Sequence, residues 1–143
     1  MIRKTIPLLF LLLLTLPGLA RADDAKDAKG TWLPEEGTAA GEKMPAEALK
    51  TIKLILSDGK YTVEIGADFK DNGTFKLDTA KKPGRMEITS ADGTEKGKTV
   101  LAIYELSGDT LKVCYDTEGK KYPTEFKSTK ENGWLLFVYK RQK

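Results

Sequence analysis

Histidine is missing from the 143-residue chain, and cysteine occurs once, as Cys114. Without imidazole the usual base that activates a nucleophile is gone, and so is the commonest metal ligand. One thiol cannot close an internal disulfide or build a thiolate metal site. The fold must therefore be held by packing, and Cys114 reads as a partly covered free thiol, an intermolecular disulfide or a reactive thiol being the alternatives.

Long apolar runs are also lacking, with one exception. Residues 6–16, "IPLLFLLLLTL", follow Arg3 and Lys4 and precede Pro17-Gly18 and then Ala20-Arg21-Ala22. This run is shorter than the roughly 20 residues a spanning helix needs, and the small-x-small ending suits a signal peptidase. Residues 1–22 therefore read as a signal peptide, residues 23–29 ("DDAKDAK") as a disordered leader with no apolar anchor, and residues 30–143 as a single domain. The expectation is an exported chain, secreted or periplasmic, that starts at Asp23 and has no membrane span once processed.

An excess of one charge is the third absence. The formal charge of +3 belongs to the signal segment, residues 1–22, because removing Arg3, Lys4 and Arg21 leaves 21 basic against 21 acidic residues. Lysines and carboxylates alternate along the rest, so the basic face of a nucleic-acid binder is not present and no nucleic-acid partner is expected.

Motifs of chemistry are near misses. In "DGTEKGKT" only three residues separate Gly93 from Gly97, where a phosphate loop needs four, and a strand pattern follows instead of a helix. "DFKDNG", residues 68–73, lacks the alternation and terminal Glu of a calcium loop, and its Asp-Asn-Gly reads as turn chemistry; Asn72-Gly73-Thr74 also fits a glycosylation acceptor. The remaining acids sit in turns or on polar strand faces, where solvated carboxylates catalyse little. No catalytic residue, metal ligand or cofactor is expected, and the chain reads as non-enzymatic.

What the chain does contain is period-two alternation. "IKLIL" and "KYTVEI" flank Ser57-Asp58-Gly59, a hairpin loop with an Asp-Gly suited to positive φ. "GTFKLD", "RMEIT", "VLAIYEL" and "TLKVCY" repeat the pattern, joined by turns at Pro83-Gly84 and Ser107-Gly108-Asp109. "WLLFVYKR" is apolar on both faces, as in a strand that closes a sheet or lies under another element. "MPAEALK" is the one helical signal, a turn or two in the first connection. "EFKS" reads as a further short strand or an extension of the seventh. Counting residues 30–33, the sum is an all-β, eight-stranded antiparallel up-and-down meander. Closing it into a barrel removes its edges and leaves an interior that side chains fill or that holds one small ligand.

Residues 30–141 resemble an uncharacterised domain family of secreted proteins, chiefly from planctomycete bacteria and described as lipocalin-like. The stretches that carry this are "GTW", "MPAEALKTIKLILSDGKYTV", "GTFKLD", "KKP", "DGTEKGKTVLAIYELSGDTLKVCY" and "PTEFKS". The resemblance implies a lipocalin-like barrel and no particular activity. Gly30-Thr31-Trp32 matches the first-strand motif of lipocalins, and Arg141 is placed to close the barrel over Trp32; the second lipocalin motif is missing.

Two functional readings follow. In the first, Leu54, Tyr61, Val63, Phe75, Met86, Ile88, Tyr104 and Val113 point into the barrel. Trp32 plugs one end, with Gly30 and Arg141, and a small apolar or amphipathic ligand enters opposite. The hydroxyls of Tyr61 or Tyr104 orient its polar group, and no charge faces it. In the second, the interior is solid, and an interaction or envelope-associated module acts through its loops, residues 90–99 and 116–123, on an unspecified protein partner.

Overall fold

The alternating runs become strands that pair in chain order. A computed structural model of the protein describes residues 23–143; the signal-peptide expectation for residues 1–22 lies outside them. Nine strands follow one another: β1 Gly30–Ala39, β2 Glu42–Lys43, β3 Ile52–Ser57, β4 Lys60–Ile65, β5 Phe69–Asp78, β6 Gly84–Ser90, β7 Thr99–Ser107, β8 Thr110–Asp116 and β9 Leu135–Arg141. Two four-residue helices, α1 Asp24–Asp27 and α2 Ala46–Leu49, and a short 3-10 turn, Gly93–Glu95, complete the elements. None of these helices is long and apolar enough to cross a membrane.

Neighbouring strands are antiparallel in the order β1-β3-β4-β5-β6-β7-β8-β9, and β9 pairs back onto β1, from Trp32 opposite Arg141 to Ala39 opposite Leu135. The result is a closed eight-stranded barrel, with β2 a two-residue strand that turns back to pair antiparallel with the end of β1. A register shift between Pro34 and Glu36 bends β1 as it leaves β3 for β9, the local kink that barrel closure needs. The β3–β4 hairpin turns through Asp58 and Gly59, both at positive φ.

Burial follows the pleat. In β3, Ile52, Leu54 and Leu56 are buried, while Lys53, Ile55 and Ser57 are half-exposed. One apolar cluster forms the barrel interior, including Trp32, Leu54, Phe75, Tyr104, Leu111 and Val113. A second, smaller cluster of Ile103, Cys114 and Trp134 lies against Phe126 and Leu136. This explains why "WLLFVYKR" is apolar on both faces: Phe137 and Tyr139 belong to the barrel cluster, while Leu136 packs under the segment 117–134.

Four sequence expectations are corrected. The segment 23–29 is not a loose leader but a turn of helix with Asp24 and Ala28 buried. β1 runs six residues past Leu33. "DFKDNG" is not a turn, since β5 starts at Phe69 and the chain reverses before it, with Gly66 at positive φ. "EFKS" forms no strand.

Candidate functional site

The two ends of the barrel are built differently. At one end, Trp32 is fully buried and its indole N–H donates to the Ala28 carbonyl at 2.8 Å. Arg141, opposite Trp32 in the β1–β9 register, lays its guanidinium carbon 4.4 Å from the centre of the indole. The same guanidinium donates to the carbonyls of Lys29 (2.5 Å) and Asp27 (2.7 Å) and to Asp109 Oδ1 (3.0 Å). One side chain thus ties the N-terminal segment, the last strand and the β7–β8 turn together. Lys143 and Arg141 hold the Asp109 carboxyl below the usual carboxylate range. Gly30, at φ 144°, lets the guanidinium pass: a Cβ there would stand 3.0 Å from Arg141 Nη1. Gly30, Trp32 and Arg141 therefore meet at one end of the barrel.

Tyr104 completes this seal. Its hydroxyl donates to the buried Asp24 carboxylate at 2.7 Å, and its ring lies where a Cβ on Gly84 would come within 2.5 Å of it. Burial, and then the bond to Asp24, push the Tyr104 phenol far up. Among the described residues, Asp23, Asp24 and Asp27 are the one group of carboxylates close enough to share a cation, within 4.8 Å of one another. Nothing in the sequence singled them out, because the turn of α1 brings them together.

The other end is hollow. A cavity of about 400 Å³ opens within the barrel, with all eight of its strands contributing to the lining, within the ~300–1,000 Å³ range of small-molecule sites. Leu54, Tyr61, Val63, Phe75, Met86 and Ile88 all line it. Tyr104 and Val113 do not: they are buried in the packed part of the core, and the Tyr104 hydroxyl is turned to Asp24. The wall also includes Met44 from the first connection and, on β9, Leu135, Phe137 and Tyr139. Ile65 and Phe69, paired across β4 and β5, are the two large apolar side chains left exposed among the described residues, and both belong to the rim.

Polar groups in this wall are few. Tyr115 and Tyr139 share a hydroxyl–hydroxyl hydrogen bond of 2.8 Å, and burial pushes both phenols up. Across the barrel, Asp71 receives the Tyr61 hydroxyl on Oδ2 (2.7 Å) and the Ser90 hydroxyl on Oδ1 (2.6 Å). Burial is the main cause that lifts the Tyr61 phenol, with the bond to Asp71 second. Gly73 allows this grouping, since a Cβ there would meet the Thr89 carbonyl, with Tyr61 Cε1 at 2.9 Å. An inward charge is thus present, against the expectation of none. Tyr61 presents its hydroxyl to Asp71 and not freely to the cavity.

Asp71 escaped the sequence reading because Asp-Asn-Gly is turn chemistry. The signal that finds it is the alternation Phe69, Asp71, Gly73, Phe75, Leu77, which continues one inward face backwards from "GTFKLD". Ser90 is buried and does not line the cavity, so its hydroxyl is not presented to a bound molecule. Cys114 lies outside the barrel interior, in the second cluster, where burial pushes its thiol up. No protein-family model, curated protein or solved structure matches this chain.

Proposed function

We propose that the protein is a secreted or periplasmic, non-enzymatic, lipocalin-like barrel that binds one small apolar or amphipathic molecule. The observation that carries this is the apolar cavity of about 400 Å³ at the end of the barrel opposite Trp32. Its wall offers contact at ~25 cal/mol per Å² removed from water, so moderate affinity needs only partial burial of a small ligand. The rival reading, a solid barrel acting through its loops, loses support from the same cavity. The likeness to the secreted planctomycete domains fits this role and adds nothing on the ligand. Export is supported by the residue pattern of positions 1–22, and intact mass of secreted material tests it: a chain starting at Asp23 is expected.

Titration with N-phenyl-1-naphthylamine, a neutral dye that brightens in apolar surroundings, tests binding. Saturable uptake of one dye per chain, displaced by small amphipathic molecules, is the expected outcome. Absence of saturable uptake would return the loop-based reading to first place.

A further inference from the structure

We propose that Asp71 makes the cavity selective for amphipathic molecules with a cationic head, a protonated amine above all, over molecules of the same size that carry a carboxylate. The inference rests on the ligand-binding reading above and narrows it. Among the cavity-lining residues Asp71 is the one with a formal charge; no lysine or arginine shares the wall. A carboxylate at the edge of an apolar space is costly without a partner cation. Yet the same face of β5 carries Phe69, Phe75 and Leu77, so an apolar side chain would suit the position.

The carboxylate is also held in place. Tyr61 on β4 and Ser90 on β6 donate to it from the two strands that flank β5. These bonds use two of its roughly four lone-pair positions, leaving acceptor capacity for a ligand. Depth fits an amphipathic molecule as well. Asp71 stands one inward step below the exposed rim pair Ile65 and Phe69, while Phe75, Met86 and Leu56 line the cavity farther in. A head at Asp71 therefore leaves an alkyl tail in the apolar interior.

Competition against N-phenyl-1-naphthylamine tests this with decylamine, decanol and decanoate, each below its micelle threshold at neutral pH. Decylammonium and decanoate carry ten carbons each and both shed the hydration of an ion, so their difference reads chiefly the charge of the site. Decylamine is expected to displace the dye about tenfold to hundredfold better than decanoate, as a hydrogen bond to a charged group supplies. Asp71→Asn should collapse that ratio to within about threefold while leaving decanol nearly unchanged. Equal competition by amine and carboxylate on the native chain overturns the selectivity while leaving the binding reading intact. An unchanged ratio in a folded Asp71→Asn protein overturns the role of Asp71. No saturable dye binding overturns both. The head-group series on the native chain decides the question even if the variant does not fold.

Discussion

The sealed and the hollow ends of this barrel are made from the same alternating strands, and they differ in what the strands receive from outside. The sealed end receives the N-terminal helix, whose carbonyls take hydrogen bonds from Trp32 and Arg141 and whose Asp24 takes one from Tyr104. The hollow end receives Met44 from the first connection, but its centre is left unfilled. The lesson is one of division: polar bonds across long sequence separations close one end, so that packing can be relinquished at the other. Stability should therefore reside at the Trp32 end and binding at the Asp71 end.

The largest expected break in that contrast is Trp32→Ala. It removes a fully buried indole together with the platform under Arg141, and should cost ~3 to 5 kcal/mol, as large core truncations do. Chemical denaturation measures it; a loss near zero would mean that Trp32 is no plug.

Alkaline titration acts on both ends together. Tyr61, Tyr104, Tyr115 and Tyr139 all have phenol pKa values raised in the folded state. Groups raised on folding contribute stability that is fully present below the unfolded value near 10. That contribution is lost as pH rises through 10 toward the folded values, because the unfolded chain ionises first. Denaturation midpoints should be level to about pH 9 and fall steeply beyond about pH 10. A midpoint that holds to about pH 11 would contradict the buried phenols.

Tyr104→Phe sharpens the comparison. It keeps the ring on Gly84 but withdraws the donor from buried Asp24, at a cost of about 1–3 kcal/mol. Dye affinity should stay within about twofold, since Tyr104 does not line the cavity. Val63→Phe is the converse, a filling substitution in the hollow wall. Because it fills open space and does not overpack a closed core, it should change stability by no more than about 2 kcal/mol while weakening dye binding at least tenfold. If Val63→Phe instead destabilises strongly with binding intact, the cavity is not where the dye resides.

How much of this was legible in the residues depends on the distance over which each feature is determined. Strand order, hairpin turns and the inward faces of β3, β4 and β6 are local, and period-two alternation reveals them. So is the meeting of Trp32 with Arg141 once closure is assumed, because first and last strands must pair. The docking of α1 is not local: the partners Asp24 and Tyr104 are 80 positions apart, and a short polar segment shows no apolar anchor. Asp71 is an intermediate case, where a strong turn tripeptide masked a strand that the alternation already extended. Tyr104 and Val113 face inward as read, but alternation reports side and not depth, so it cannot separate the packed end from the hollow one.

Two-dimensional NMR during titration with decylamine tests the division of the barrel most directly. Amide signals of Ile65, Val63, Asp71, Ile88 and Leu135 should shift together and saturate with a single site. Of the two indole N–H signals, Trp32, bonded to Ala28 at the sealed end, and Trp134, in the outer cluster, should remain still. Saturating shifts centred on the Trp32 indole and its neighbours, with the Asp71 wall unmoved, would contradict the account.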